Sequence, residues 1–286
     1  MCDRKAAAGD ERAAALMDQI SELAKEAGRI ILEGAGHAKS RRSKEGHANF
    51  VTEYDARVQR FLIGHLQELL PEAHFVGEED GAAVFLPEYE DGLTFVIDPI
   101  DGTSNFMKGY PPSVTSIGLL KDGKPWIGVI YNPFTDQLFT GLMGVGAWEN
   151  GVPIHTSGDT MADSLIMMGT TPYYYDELAR QTFDLAYEYL ARCIDLRRSG
   201  SAAWDMCMVA SGRIGMYFEL RIHLWDYAAA ACILEAAGGR VTDEEGRPLS
   251  YRDRSAVFAV SAGIAKEDYL PTRHKIKMAS VIAADT

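Results

Sequence analysis

Phe95-Val96-Ile97-Asp98-Pro99-Ile100-Asp101-Gly102-Thr103-Ser104-Asn105-Phe106 carries an apolar strand straight into two carboxylates, a proline, a glycine and a hydroxyl. Leu93 to Ile97 is apolar and β-branched enough to be a covered strand, and α/β proteins place their ligands at the C-terminal ends of such strands. Pro99 stiffens the backbone between Asp98 and Asp101. Two acids held by a stiff turn converge on hard cations, which take oxygen ligands. Gly102 lacks a Cβ, so a phosphate can approach its backbone. A helical turn starting at Thr103 would present free N–H groups to that anion. Asp-Pro and Asp-Gly are also ordinary turn dipeptides, so the remainder of the chain has to decide.

With 286 residues and 47% apolar content, the chain can bury one large core or two modest ones. A formal charge of −13 argues against a nucleic-acid-binding surface, and the basic run Lys39-Ser40-Arg41-Arg42-Ser43-Lys44 is too short to offset it. An acidic protein that binds an anionic substrate needs local cations, which is indirect support for metals. Cys2, Cys193, Cys207 and Cys232 lack C-x-x-C spacing and read as reduced thiols. No window approaches the length of a membrane span, and Met1-Cys2-Asp3-Arg4-Lys5-Ala6 does not lead into a signal-peptide apolar core. The expectation is a cytoplasmic protein that binds neither membrane nor nucleic acid.

Leu16, Ile20, Leu23, Ala24, Ala27, Ile30 and Ile31 recur at helical spacing, as do Val58, Phe61, Leu62, His65, Leu66 and Leu69 before Pro71. Gly34 to Asn49 between them has no periodicity and reads as a loop. Short strands at His74 to Val76, Leu93 to Ile97, Val114 to Leu120, Trp126 to Tyr131 and Gln137 to Leu142 suggest an antiparallel meander on the two helices, with turns at Asp122-Gly123 and Asn150-Gly151. After about residue 155 strands alternate with helices, including Asp176 to Cys193, Ala202 to Ser211 and Asp226 to Ala237. The expected fold is a layered α/β sandwich, with an N-terminal region over 1–154 and a smaller α/β region over 155–286.

Other acids fall at informative places. Val76-Gly77-Glu78-Glu79-Asp80 puts carboxylates at a second strand end, as a multi-metal site requires, although a solvated acidic turn would look the same. Thr52-Glu53-Tyr54-Asp55 resembles a helix capping box, a role compatible with orienting a hydroxyl or a water. Asp226 opens an alanine-rich helix and reads equally as its N-cap. Glu219 ends the apolar strand Met216-Tyr217-Phe218, where a carboxylate needs a partner.

Spacing separates rival motifs. Phosphatases with an aspartyl nucleophile of the haloacid-dehalogenase type carry Asp-x-Asp-Gly-Thr, whereas this chain has Asp-x-x-Asp-Gly-Thr, which changes which acids face each other. No Gly-x-x-x-x-Gly-Lys-Ser/Thr loop and no Gly-x-Gly-x-x-Gly follows a strand. The seven histidines, His223 among them, are scattered without metal-ligand spacing and read as surface or core residues.

Gly77-Glu78-Glu79, Asp98-Pro99-Ile100-Asp101-Gly102-Thr103-Ser104, Gly200-Ser201-Ala202-Ala203, Glu219 and Trp225-Asp226 with Ala228 occur in one order. In that combination the chain resembles the inositol monophosphatase family of magnesium-dependent, lithium-sensitive phosphomonoesterases, over roughly residues 15 to 262. The resemblance implies a fold like that of inositol monophosphatase and fructose-1,6-bisphosphatase, and a homodimer. It implies Mg2+ as cofactor, two to three ions per site. Glu78, Asp98 and the Ile100 carbonyl would hold the first ion, Asp98, Asp101 and Asp226 the second, and a third would sit near Glu78. Glu78 and Thr103, with Asp55 bonded to Thr103, would activate water. Gly102 and Thr103 would take the phosphate, while Asp101, Ala202, Glu219 and Asp226 would meet substrate hydroxyls and Lys44 would reach in from a loop. The implied substrate is a small phosphate ester, foremost inositol 1-phosphate or a similar polyol or sugar phosphate. A 3′(2′),5′-bisphosphate nucleotide, fructose 1,6-bisphosphate and histidinol phosphate are the alternatives, beside a homologue that binds metal or ligand without turnover. Gly246-Arg247-Pro248-Leu249-Ser250-Tyr251 is similar to the bisphosphate-nucleotidase branch, and Tyr217-Phe218-Glu219 to the inositol monophosphatase branch.

Overall fold

A computed structural model describes residues 2–35, 41–43, 50–79, 89 and 91–270. Helix α1 (Cys2–Gly34) is followed by β1 (Arg41–Ser43), which pairs antiparallel with β2 (Phe50–Thr52) ahead of α2 (Glu53–Leu69). The stretch expected to be only a loop therefore contains a strand, formed because β2 supplies a partner that local periodicity cannot reveal.

Seven strands then form one sheet in sequence order: β3 (His74–Gly77), β4 (Leu93–Asp101), β5 (Val114–Lys121), β6 (Lys124–Asn132), β7 (Gln137–Leu142), β8 (Gly146–Glu149) and β9 (Val152–Ile154). The expected meander holds from β4 onward, but β3 runs parallel to β4. A single sheet face explains the alternation within β4. Phe95 and Ile97 pack with Ile20, Ala24, Ala27 and Ile31 of α1 and Val58, Leu62 and Leu66 of α2. Val96 faces the other way, into the centre of the molecule. Both faces of the strand are covered, which is why its sequence is apolar without a polar interleaf.

Past the short helix α3 (Thr103–Lys108), the second half of the chain builds β10 (Leu165–Met168), α4 (Tyr175–Leu190), β11 (Asp195–Arg197), α5 (Ala202–Ala210), β12 (Met216–Ile222), α6 (Leu224–Ala236), β13 (Arg240–Thr242), β14 (Ser255–Val260) and α7 (Lys266–Tyr269). Its strands form a mixed sheet in the order β11-β10-β12-β14-β13. Tyr217 of β12 turns toward α5 and α6, while Met216, Phe218 and Leu220 pack with Leu178, Leu185 and Tyr189 of α4. The layers are therefore α1/α2, the seven-stranded sheet, α5/α6, the five-stranded sheet and α4. The central cluster draws residues from Val76 to Ala147 and from Met167 to Ala259. Cys193, Cys207 and Cys232 are free thiols, as expected. Among the described residues no helix is long and apolar enough to cross a membrane.

Helix α6 is apolar on every side because sheets cover it from two directions. Its close seat depends on a row of glycines: Gly118 of β5, Gly128 of β6 and Gly141 of β7 are direct cross-strand partners. A Cβ on Gly128 would lie 2.3 Å from the Ala229 carbonyl oxygen, and one on Gly141 2.6 Å from Ile233 Cα. These neighbours are backbone and cannot rotate away. Gly128→Ala is expected to cost ~1–3 kcal/mol by overpacking, read as a melting-temperature loss of roughly 2–10 °C. An unchanged melting temperature would show that α6 has slack against the sheet.

Candidate metal and phosphate site

In a regular strand Asp98 and Asp101, three positions apart, would point to opposite faces. They do not, because β4 is irregular between them. Asp98 pairs with Ser116 and Asp101 with Val114, so three steps on β4 oppose two on β5. This is the geometry of a bulge, which re-aims side chains. Thr115 Oγ1 donates to the Pro99 carbonyl at 3.0 Å and holds the displaced backbone. The acids lie within the strand and its bulge, so β4 runs past the expected end at Ile97 to Asp101. The same device recurs in β12, which continues past Glu219 with Glu219 opposite Val257 and Ile222 opposite Ser255.

Each acid is anchored through one oxygen. Asp98 Oδ1 accepts the Ile100 N–H at 3.0 Å. Asp101 Oδ2 accepts Ser201 Oγ and the Ala203 N–H, both at 2.7 Å, at the start of α5. Asp226 is not the N-cap of its helix. His223 holds that place, and Asp226, in the first turn, reaches back to accept the His223 N–H at 2.7 Å. Asp55 does the same at the start of α2, accepting the Thr52 N–H at 2.8 Å on Oδ2. Its Oδ1 accepts Thr103 Oγ1 at 3.1 Å. The capping reading and the orienting reading of Asp55 are both realised, one on each oxygen.

One carboxylate oxygen each from Asp98, Asp101 and Asp226 lie within 4.8 Å of one another. Burial, then the charges of Glu78, Asp101, Asp226 and Asp55, push the Asp98 carboxyl well above its ordinary range. Burial and Asp101 do the same to Asp226, and burial lifts Asp101 to about 6 against the bonds from Ser201 and Ala203. A hard divalent cation fits this donor set, since it supplies the positive charge that three converging carboxylates, two buried and the third half-buried, require. Glu78 follows β3 and lines the same cavity, and its N–H donates to the Ile97 carbonyl at 3.3 Å. Gln59 of α2 pins the adjoining Glu79 backbone, accepting its N–H at 2.9 Å on Oε1.

Gly102 caps α3 at φ 93°, a left-handed conformation that favours glycine, and Thr103 opens the helix as expected. Thr103 Oγ1 has two acceptors for its single proton, Asp55 Oδ1 and the Ile100 carbonyl, each at 3.1 Å. Asp98, Ile100, Asp101, Gly102, Thr103, Ala202, Glu219 and Asp226 all line one cavity of about 310 Å³, into which Asp55 acts through Thr103. Glu219 is buried and accepts the Thr171 N–H at 2.8 Å and Tyr217 Oη at 2.6 Å. Lys44 lies outside the described residues. Sequence reasoning missed Ser201 and Ala203 as holders of Asp101, Gln59 behind Glu79, and His223, which stacks on Trp225 in the cavity wall with ring centroids 4.4 Å apart. The position of His223 three residues before Asp226 was the available signal, a capping pair without a hydroxyl.

The model of the inositol monophosphatase family matches residues 14–278. The chain belongs to this family. Among relatives of this inositol monophosphatase family member, an inositol monophosphatase 3 of Solanum lycopersicum is 39% identical over 232 residues, covering 80% of this chain and 86% of its own. A solved inositol monophosphatase from Anabaena superposes with a TM-score of 0.76 at 29% identity, covering 91% of this chain and 95% of its own. The extragenic suppressor protein suhB from Bartonella henselae gives 0.78 at 29% identity over 87% of this chain and 95% of its own. The layered fold expected from sequence is thus shared with solved family members, and the family consists of phosphoric monoester hydrolases.

The raised carboxyls make a prediction for metal-free protein. An acid whose folded pKa lies above its unfolded value binds more protons when folded, so its ionisation destabilises the fold as pH rises. Without divalent cations the urea midpoint is expected to fall as pH climbs from about 4 through 6 and beyond, the window set by unfolded Asp and by Asp101 with Asp98 and Asp226 above it. Adding Mg2+ is expected to restore the midpoint at pH 8 and to do little at pH 4.5. Equal stabilisation at both values would contradict the cluster's role.

Proposed function

We propose that the chain hydrolyses a phosphate monoester of a polyol or sugar, with inositol 1-phosphate the foremost substrate, in a magnesium-dependent and lithium-sensitive reaction. The observation that carries the reading is the convergence of Asp98, Asp101 and Asp226 beside the Gly102–Thr103 turn in one cavity. Glu78, Asp98, the Ile100 carbonyl, Asp101 and Asp226 would hold the ions. Bound magnesium supplies Lewis acidity toward the phosphoryl group and lowers the pKa of water.

The chain's own groups do the rest. The Gly102–Thr103 turn faces the anion with backbone N–H donors. Thr103 Oγ accepts a proton from the attacking water and passes its own to Asp55 Oδ1, the acceptor already in place at 3.1 Å. Burial raises Asp55 from its ordinary value, against the bonds from Thr52 and Thr103, which makes it a better proton acceptor. Glu78, which lines the same cavity and whose charge helps raise Asp98, assists the same deprotonation. Water attacks phosphorus in line, the P–O bond to the alcohol breaks, and no covalent enzyme intermediate forms. Glu219 favours a polyol, because each carboxylate oxygen keeps a lone pair beyond its protein donor and can accept a hydroxyl. In this reading the 1–154 region brings most metal ligands and the 155–286 region brings Asp226, Ala202 and Glu219.

A panel of inositol 1-phosphate, 3′-phosphoadenosine 5′-phosphate, fructose 1,6-bisphosphate and histidinol phosphate, assayed with and without Mg2+ and Li+, tests the reading. Asp98→Asn is expected to lower release by at least ~10³-fold with no loss of melting temperature in EDTA, since a repelling charge is removed. Near-wild-type turnover in Asp98→Asn, or no magnesium-dependent release from any ester, would sink the proposal.

The homodimer belongs to the same proposal. Phe183, Tyr187 and Leu190 on α4, with Ile194 just beyond it, recur at helical spacing and are 58%, 77%, 47% and 61% exposed. The Arg180–Asp184 ion pair borders this stripe, so a two-fold pairing of α4 with a second copy would meet both apolar and complementary charged groups. Wild-type protein is expected to sediment as a dimer and Tyr187→Glu as a monomer; a wild-type monomer at micromolar concentration would refute the pairing.

A further inference from the structure

The cavity has a wall that the carboxylate chemistry leaves unused. Between β10 and α4 the chain makes a 3-10 turn, Pro172–Tyr174, entered through Thr171 in the left-handed region at φ 46°. Thr171 is buried, and its N–H donates to Glu219 Oε1 at 2.8 Å. Pro172 fixes its own φ. The turn is thus a pinned mount, and it carries Tyr173 to the cavity that contains Asp98, Asp101 and Asp226.

Tyr173 is 47% exposed at this mouth. The phenol of Tyr173 is nevertheless held far above its ordinary range, first by burial and then by the charges of Asp226, Glu78, Glu219 and Asp101. The hydroxyl lies in the field of the site and remains a donor at neutral pH, while part of the residue stays open to solvent. Three other tyrosine hydroxyls have partners, Tyr217 with Glu219, Tyr227 with the Asp253 carbonyl and Tyr131 with Asp136, and buried Tyr251, whose hydroxyl has none, does not line this cavity. Among the described residues no hydrogen bond engages the Tyr173 hydroxyl. A fixed aromatic ring with a free polar tip gives contact area at small conformational cost, which suits a ligand that is apolar on its faces and hydroxylated at its edges.

We infer that Tyr173 is a substrate-binding residue that packs its ring against a cyclic leaving group and donates its hydroxyl to one of that group's oxygens. The preferred ester therefore carries a ring polyol or sugar, and an acyclic alcohol loses the contact. This inference rests on the phosphatase reading above. Glu219 gains a second task, since its Oε1 pins the turn that presents Tyr173.

The test compares wild type, Tyr173→Phe and Tyr173→Ala on inositol 1-phosphate and on glycerol 2-phosphate with Mg2+ present. Tyr173→Ala is expected to raise KM for the cyclic ester about tenfold and Tyr173→Phe about threefold. Both are expected to keep kcat within about threefold and KM for the acyclic ester within about twofold. Melting temperatures equal to wild type would show that the fold is intact. An unchanged KM for the cyclic ester, or equal losses on both esters, overturns the inference and leaves the phosphatase reading standing. A wild-type chain that releases phosphate from neither ester overturns the phosphatase reading, and the inference with it.

Discussion

Asp98, Asp101 and Asp226 each bring an oxygen within 4.8 Å of the others in a buried site, against both desolvation and mutual repulsion. The arrangement stands because each carboxylate is tied down: Asp98 by the Ile100 N–H, Asp101 by Ser201 and Ala203, Asp226 by the His223 N–H. Backbone donors at a bulge and at two helix starts lower the cost of holding the charges without neutralising the cluster. Asp55 repeats the device at a third helix start and turns its second oxygen to Thr103. The result is a set of acids whose orientation is settled in advance and whose charge remains available to a cation.

That convergence depends on where α6 lies. Its first turn carries Asp226 to Asp98 and the bulge of β4, and it can do so because Gly118, Gly128 and Gly141 let the helix press onto the seven-stranded sheet. Small residues on both sides, glycines below and Ala228 to Ala231 above, place the helix closer than larger side chains would. The second sheet then closes over α6 with β12, whose own irregularity follows Glu219. Two sheets, each distorted beside an acid, thus face one helix that supplies another.

Much of this was legible locally. The apolar run of β4, the glycine ahead of Thr103 and the Thr52–Asp55 pair are short-range patterns with short-range physics, and they recur in the structure as a covered strand, a left-handed helix entry and a cap. The parallel pairing of β3 with β4, the partner of β1 and the extension of β12 past Glu219 were not legible, because each is decided by a neighbour distant in sequence. Asp226 illustrates the boundary. Its place at a helix start could be read, but which residue caps the helix depended on a backbone angle at His223 that composition does not encode.

By itself the sequence determined the chemistry available: carboxylates at strand and helix ends, a glycine and hydroxyl beside them, and a spacing that argued against an aspartyl nucleophile. Those are properties of residue type and of a few consecutive positions. Only the tertiary structure decided that Asp98 and Asp101 share a face, since the extra residue of the bulge appears only in register with β5. It also brought Ser201 to Asp101 across 100 residues and pinned the Tyr173 turn to Glu219 across 48. Contacts of that kind are made by packing two sheets on one helix, and no local pattern contains them.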